Sequence, residues 1–300
     1  MKARAIDDLE PARPIGYCPI AMSFLPGNPT DPLVFDYDAV KDLGKDLKDR
    51  YNADDPFPHI VIDDFLPQPV VDYVLQHFPA DLTEESKEFD RDQERFKRSY
   101  HPDHLDPRLR LLFYTFNARP FIKVVENITG ISGLIPDPFF LGAGFHEIRT
   151  GGHLSMHADF NHHVPLNLER RVNLLVYLNR DWTAEYGGQL ELWRGDMSER
   201  VHSIVPLVNR CAIFTTTQGS MHGNPQPIAH PAGTSRKSIA LYYYTSTWKE
   251  TDRAVTTQFK VRPGTGDKTD WTVKTNEFIG EYFPPFLARR LIGLKRKLGA

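Results

Sequence analysis

A histidine and an aspartate separated by one residue stand in the segment GGHLSMHADF. On a β-strand, His157 and Asp159 would point to the same face, because side chains alternate between faces with a period of two. Two neutral imidazoles and one carboxylate on one face of Fe(II) leave three positions open for other ligands. The pair therefore offers two of the three ligands of an iron site, and the third must come from elsewhere in the chain.

The same spacing occurs twice more, in His101 with Asp103 and in His104 with Asp106. Their segment, SYHPDHLDP, contains two prolines and no strand pattern, which favours an exposed loop with aspartates that cap a helix. The pair at 157 and 159 instead follows an apolar strand and a Gly-Gly turn. Taken alone, it fits a metal site and an ordinary strand equally well, so residues downstream must decide.

Two further polar residues follow in the order that such a site requires. His222 stands at the end of a strand in the Gly-rich segment QGSMHGNPQP, where a side chain can reach the mouth of a barrel. Arg236 opens the strand RKSIALYYYT, and its planar guanidinium suits a carboxylate that accepts two parallel hydrogen bonds. Lys237 should face the other way. An exposed turn histidine and an arginine at a strand edge remain the alternative interpretations.

The part of the chain that would position these residues is rich in strands. Turn residues separate five short apolar or alternating segments within residues 138–250, which predicts a barrel or sandwich. These segments are FFLGAGFHEI, RRVNLLVYLN, GGQLELW, RCAIFTT and RKSIALYYYT.

The flanking regions have other patterns. Residues 1–137 combine a short apolar strand near Ile60 with helical patterns at 38–51, from about Pro67 and at 109–129, so we expect a mixed, helix-rich region. Residues 251–300 begin as a polar loop. They end in a pattern of leucines and basic residues that predicts an amphipathic helix, which could dock on its own domain or contact a membrane or partner weakly.

Composition limits the class of protein. The 300 residues are 40% hydrophobic and 25% charged, typical of a globular domain. A net charge of −3 gives no overall attraction to nucleic acid, so we expect no nucleic-acid partner. The two cysteines lack CxxC spacing, which indicates a reducing compartment. The amino terminus resembles no signal peptide, so the cytoplasm is the expected location.

The order of these motifs resembles the prolyl 4-hydroxylase-like branch of the 2-oxoglutarate and Fe(II)-dependent dioxygenases. The resemblance covers about residues 139–247 and includes HxD, RRVNLLVYLN, WxxxxGGQLELW and RCAIF, then a histidine and an arginine. It implies an α+β fold, with a double-stranded β-helix (jelly roll) as catalytic core and flanking helices. It also implies that His157, Asp159 and His222 hold the metal, and that Arg236 grips the far carboxylate of 2-oxoglutarate.

Two residues refine this resemblance. Tyr177, in VYLN, matches a tyrosine that hydrogen-bonds the co-substrate in relatives, although a half-buried barrel aromatic would look the same. Many relatives also carry a tyrosine about nine residues before the first ligand, where this chain has Ile148. His146, on the same strand face, is a candidate to replace that contact. The carboxylate at Asp159 disfavours a halogenase, because related halogenases have a small residue there.

The resemblance implies hydroxylation of an unactivated C–H bond, with release of succinate and CO2. The expected cofactors are Fe(II), 2-oxoglutarate and O2, and the family's chemistry also admits L-ascorbate. The substrate would be a polar small molecule or peptide, such as a peptidyl proline, an amino acid, a saccharide or another metabolite. Two alternatives stay open: an iron oxygenase that does not use 2-oxoglutarate, and a jelly-roll binding module without catalysis. A zinc protease is not indicated, because HExxH is absent.

Overall fold

The computed structural model describes residues 23–28, 30–249, 251–252, 254–268, 271 and 274–275. Five α-helices lie within these residues, and they are α1 (Tyr37–Val40), α2 (Lys48–Ala53), α3 (Gln68–Gln76), α4 (Pro107–Phe116) and α5 (Arg119–Thr129). Short 3-10 helices occur at Lys45–Leu47, Pro102–His104 and Ala184–Tyr186. The predicted carboxy-terminal basic helix falls at residues 286–300, outside the described residues.

The strands follow the chain as β1 (His59–Ile62), β2 (Lys87–Arg91), β3 (Glu94–Tyr100), β4 (Ile135–Pro136), β5 (Gly144–Ala158), β6 (His162–His163), β7 (Leu168–Tyr177), β8 (Leu190–Trp193), β9 (Arg200–Ile204), β10 (Cys211–Thr215), β11 (Met221–Asn224), β12 (Arg236–Thr245) and β13 (Gln258–Phe259). They form one curled antiparallel sheet in the order β1-β10-β7-β12-β5-β11-β8-β9, and β3 pairs with both β2 and β5. The predicted α+β fold with a jelly-roll core and flanking helices is confirmed.

The long strand β5 joins the two halves of the sheet. Its first half pairs with β12 and its second half with β11. Gly151 lies between them with φ +80°. A Cβ at Gly152 would lie 2.5 Å from the Arg95 carbonyl oxygen, so glycine is needed for the close approach of β3. The bend at these glycines curls the sheet into a half-barrel. The candidate ligands His157 and Asp159 follow the bend along the chain.

The two faces of the sheet have different neighbours. Val172, Leu174 and Val176 of β7 are buried in a large core that also contains residues of α3, α4 and α5. The alternate residues of the same strand, Asn173 and Leu175, line an interior cavity. Strand alternation therefore separates a structural face, packed against helices, from a face that surrounds the cavity.

Three local predictions differ from the structure. The single helical pattern at 109–129 is two helices, because Pro120 lies in the first turn of α5 and cannot continue a helix from α4. His222 lies within β11 rather than in a turn. The hairpin of β2 and β3 has no counterpart in the sequence prediction. No helix within the described residues is long and apolar enough to cross a membrane.

Candidate metal centre and co-substrate site

His157, Asp159 and His222 converge on one point in the interior. His222 of β11 is the cross-strand partner of His157 in β5, and their ring centroids lie 4.4 Å apart. Asp159 follows the end of β5. Its Oδ1 lies 3.7 Å from His157 Nε2, and its Oδ2 lies 3.4 Å from His222 Nε2. One potential ligand atom from each residue lies within 4.8 Å of the others, as a single metal ion would require.

Both imidazoles are fixed in the orientation that a metal needs. The Nδ1 of His157 lies 2.8 Å from the Ser155 carbonyl oxygen, and that of His222 lies 2.9 Å from the Ser220 carbonyl oxygen. Since a carbonyl only accepts, each Nδ1 must carry the proton and donate it, which leaves the Nε2 lone pair free. Burial and the neighbouring His222 lower the pKa of His157 to about 4, so this ring is neutral at neutral pH.

Asp159 is held as a carboxylate by two donors. Its Oδ2 accepts a hydrogen bond of 2.6 Å from Asn173 Nδ2 and lies 3.2 Å from Arg170 Nη2. Burial acts to raise the pKa of Asp159, but the charge of Arg170 and the interaction with His222 outweigh it and hold the pKa well below its usual range. The site therefore presents two imidazole nitrogens and one anionic oxygen donor.

Arg236 enters the same interior from the first position of β12. It is 5% exposed, and its Nε donates to the Gly188 carbonyl oxygen at 2.7 Å. Its Cζ lies 4.9 Å from the centroid of the Tyr177 ring. No carboxylate among the described residues forms an ion pair with it. A buried guanidinium of this kind is costly unless an anion joins it.

One cavity of about 560 Å³ contains all of these groups. His157, Asp159, His222 and Arg236 line it together with the side chains of Leu154, Leu175 and Leu190. A cavity that combines apolar side chains with polar groups at defined points is typical of small-molecule sites. The arrangement can hold a cation at the triad and an anion at the arginine, side by side.

The sequence of this region matches one known family. Residues 143–244 match the model of the 2OG-Fe(II) oxygenase superfamily, and they include the triad and Arg236. Over these residues, about a third of the chain, the protein is similar to the oxygenases of this superfamily. The match and the triad confirm the predicted resemblance, the predicted enzyme class of Fe(II)- and 2-oxoglutarate-dependent dioxygenases, and the predicted cofactors.

Solved structures resemble the oxygenase in fold. A prolyl hydroxylase from Trichoplax adhaerens, in complex with a hypoxia inducible factor peptide fragment, has a TM-score of 0.50 and 17% identity, covering 71% of this chain and 94% of that one. A Pseudomonas putida prolyl-4-hydroxylase has a TM-score of 0.46 and 18% identity, covering 67% and 98%. HygX from Streptomyces hygroscopicus, with nickel and 2-oxoglutarate bound, has a TM-score of 0.43 and 12% identity, and the match covers 64% of this chain and 84% of that one. No curated protein sequence matches this chain.

The residues present fit both groups that the oxygenase requires. The free Nε2 atoms of His157 and His222, with the ionised Asp159, match the donor set of an Fe(II) site. Arg236 is buried and lacks a carboxylate partner among the described residues, as expected for a group that receives an anionic ligand. A metal and a keto acid would thus complete contacts that the protein leaves open.

Tyr177 occupies a different position from the triad. Its ring lies beneath Arg236 and packs against Leu190 and Phe214, and it is not among the described residues that line the cavity. Its hydroxyl is buried without a hydrogen-bond partner in the described residues, and burial raises its pKa to about 12. The hydroxyl is therefore a neutral donor without an acceptor, and its contact with 2-oxoglutarate stays a prediction.

The position that is tyrosine in many relatives is apolar here. Ile148 is buried and lines the cavity. His146 also lines the cavity, and its Nε2 lies 2.9 Å from the Gly142 carbonyl oxygen. Burial and the charge of Lys97 lower the pKa of His146 to about 3, so the ring is neutral. His146 faces the site, as the strand pattern predicts.

The repeated HxD spacings do not contribute to the triad, although His101 lines the same cavity. Asp106 caps α4 by accepting from the Arg108 amide, and the His101 ring accepts from the Asp103 amide. Within the described residues, His157, Asp159 and His222 are the one group of three with metal-binding geometry. Sequence reasoning missed Arg170 and Asn173. They are three residues apart, and on a regular strand such residues face opposite sides, so the sequence does not indicate that both side chains contact Asp159.

Proposed function

We propose that this oxygenase hydroxylates an unactivated C–H bond of a polar small molecule or peptide. In the reaction, one atom of O2 enters the substrate and the other enters succinate, while 2-oxoglutarate loses CO2. One observation carries the proposal: the triad lines the same cavity as a buried arginine that has no carboxylate partner among the described residues. This pairing provides for a metal and for the dianion that must bind beside it.

The side chains divide into three roles. His157, Asp159 and His222 would hold Fe(II), which with bound 2-oxoglutarate would supply the activation of O2. The fork of Arg236 would receive the distal carboxylate of the keto acid, oriented by its bond to the Gly188 carbonyl. Leu175 and Leu190, which line the same cavity, would exclude water from the keto acid.

Anaerobic binding tests the assignment before any substrate is known. We expect the protein to bind Fe(II) at one ion per chain and 2-oxoglutarate only when metal is present, as isothermal titration would measure. His157→Ala and Asp159→Ala should each abolish metal-dependent binding. His104→Ala is the matched control, because His104 has the same HxD spacing but lies at the surface turn before α4.

Turnover then identifies the substrate. Succinate formation, followed by mass spectrometry across peptide, amino acid and saccharide pools, should rise with one pool and depend on His157. A protein that binds iron but whose Arg236→Ala variant keeps its affinity for 2-oxoglutarate would instead be an iron oxygenase of another kind. Failure to bind Fe(II) at all would favour a binding module.

A further inference from the structure

The hairpin of β2 and β3 adds a charged cluster to the wall of the cavity. This hairpin cluster consists of Arg91, Glu94 and Lys97, all of which line the cavity. Glu94 Oε1 accepts from Lys97 Nζ at 3.0 Å, and Oε2 accepts from Arg91 Nε at 3.0 Å. The side chains of Glu94 and Lys97 are 9% and 13% exposed. Two cations thus share a single buried carboxylate.

Lys97 lies beside the co-substrate site. It is the cross-strand partner of Ile148 in β5, and Ile148 is in turn the partner of Arg236 in β12. Directly paired residues project to the same face of a sheet, so Lys97 and Arg236 flank Ile148 inside the cavity. The ammonium group is close enough to His146, on the adjoining rung, to lower the pKa of that ring.

The charges that line the cavity do not cancel. Among the described lining residues, five cationic side chains oppose three carboxylates, and these are Lys87, Arg91, Lys97, Arg170 and Arg236 against Glu85, Glu94 and Asp159. The chain as a whole carries −3, so this excess is local to the cavity. A ferrous ion and a 2-oxoglutarate dianion add no net charge, and the excess therefore remains when both are bound.

Binding of the co-substrate does not require Lys97. One carboxylate of 2-oxoglutarate would bind the metal and the other would meet Arg236, so neither needs a third cation. Lys97 has three N–H donors; Glu94 is its hydrogen-bond acceptor among the described residues, and its Nζ also lies 5.0 Å from the centroid of the Phe89 ring. An ammonium that is mostly buried, with donors left over, favours a further anion beside the metal.

The mouth of the same cavity includes apolar side chains beside the exposed Glu85 and Lys87. Phe139 and Leu141, 53% and 38% exposed, line it together with the ring of Phe89. Exposed aromatic and aliphatic groups at the rim of a cavity favour a ligand with an apolar part. The cavity therefore has a cationic side chain, Lys97, near the candidate metal centre and apolar side chains at its mouth.

We propose that Lys97, assisted by Arg91, binds a carboxylate or phosphate group of a substrate whose remaining part is partly apolar. The inference rests on the proposed function, because it places the anion beside the assigned metal and co-substrate sites. It narrows the substrate from polar molecules in general to anionic ones, and it makes the hairpin cluster a determinant of specificity.

Paramagnetic relaxation tests the site without turnover. The full chain is loaded with Mn(II) and saturating 2-oxoglutarate, and the relaxation of added hexanoate, hexyl phosphate or hexanamide is measured by NMR. We expect saturable enhancement for the two anions and none for the neutral amide. The anion with the higher affinity indicates whether the substrate carries a carboxylate or a phosphate.

Variants assign the effect to Lys97. Because a hydrogen bond to a charged group is lost, Lys97→Gln should weaken anion binding by about tenfold or more. Lys97→Arg should retain most of it, and Lys45→Gln, at an exposed lysine on another face, should change nothing. The affinity for 2-oxoglutarate, which also reports correct folding, should be the same in all of these proteins.

Three results would overturn the inference: equal enhancement for hexanamide, unchanged anion binding in Lys97→Gln, or a loss of 2-oxoglutarate affinity in that variant. The last would assign Lys97 to the co-substrate. If Mn(II) and 2-oxoglutarate bind but the anions do not, the anion site fails and the proposed function stands. If Mn(II) and 2-oxoglutarate themselves do not bind, both fail.

Discussion

Arg170 and Asp159 form a buried ion pair, with Nη2 of the arginine 3.2 Å from Oδ2 of the aspartate. The guanidinium lies between two aromatic rings, 4.4 Å from the centroid of Phe160 and 3.7 Å from that of Tyr242. It also donates from Nη2 to Asn173 Oδ1 at 2.7 Å, while Asn173 donates to Asp159. The carboxylate of the triad is therefore held in one orientation by a network that is itself packed in place.

Loss of this ion pair should weaken the metal centre. In Arg170→Leu, Asp159 keeps the hydrogen bond from Asn173 but loses the charge of Arg170. Burial would then raise the pKa of Asp159 toward its usual range and make the ionised carboxylate less stable. Mutation of a residue that orients a metal ligand typically lowers the metal affinity by about 10 to 100-fold. We therefore expect Arg170→Leu to weaken Co(II) binding by about tenfold. Titration of Co(II), followed by its visible absorption, measures this.

The neighbouring arginine supplies the control for that prediction. Arg171 points to the other face of β7, where its side chain is 30% exposed and pairs with Glu169. Arg171→Leu should bind Co(II) as the wild type does. Equal affinities in the two variants would mean that the ion pair at Asp159 has no part in metal binding.

Glu94 should make the stability of the protein dependent on acid pH. Burial acts to raise its pKa, but the charges of Lys97 and Arg91 outweigh this and lower the pKa to about 2. A carboxyl whose folded pKa is depressed stabilises the fold above its unfolded pKa, near 4.5, and loses that contribution as the pH falls toward 2. The difference of about 2.5 pKa units corresponds to a contribution at neutral pH on the order of 3 kcal/mol.

Urea unfolding over a range of pH checks this. Glu94→Gln should be less stable than the wild type at pH 7, and the difference in the free energy of unfolding should shrink between pH 4.5 and 2. Glu199→Gln, at an exposed carboxyl that pairs with Arg194, should differ little from the wild type at any pH. A difference for Glu94→Gln that does not vary with pH would contradict the assignment.

The bend in β5 should tolerate no side chain. A Cβ at position 152 would lie 2.5 Å from the Arg95 carbonyl oxygen and 2.8 Å from that of Arg149, and both are backbone atoms that cannot move aside cheaply. We therefore expect Gly152→Ala to lower the free energy of unfolding by about 1 to 3 kcal/mol. Gly266→Ala, where nothing lies within 4 Å of the added atom, is the control. Thermal denaturation measures both, and equal melting temperatures would contradict the argument.

The sequence predicted the parts of the fold that have strong periodicity. All five segments within residues 138–250 contain strands, and His157, Asp159, His222 and Arg236 line one cavity. The strands are confirmed, and strand alternation explains why these four side chains share a face, whereas their roles in binding stay predictions. The hairpin of β2 and β3 was missed because its sequence, KEFDRDQERFKRSY, is charged and has no regular apolar face.

Contacts between distant strands could not be read from periodicity. His222 looked like a turn residue because Gly219 and Gly223 flank it, yet it lies in β11 since β5 and β8 both pair with that strand. Likewise, Lys97 reaches the cavity only because β3 pairs with β5. The register between strands far apart in the chain depends on tertiary packing, which no local pattern records.

Arg236 should determine affinity for 2-oxoglutarate, whereas its neighbour should not. Strand alternation points Arg236 into the cavity and Lys237 outward, where its Nζ lies 2.6 Å from Ser235 Oγ and 3.8 Å from Glu147 Oε1. Since Arg236 provides two parallel donors, Arg236→Gln should raise the dissociation constant for 2-oxoglutarate by about 10 to 100-fold, and Arg236→Lys by less. Calorimetry with the Mn(II)-loaded protein measures the constants. Lys237→Gln removes a charge at the adjacent position and should bind 2-oxoglutarate with the wild-type dissociation constant. Weakened binding in that variant as well would show that positive charge in general, rather than the fork of Arg236, attracts the keto acid.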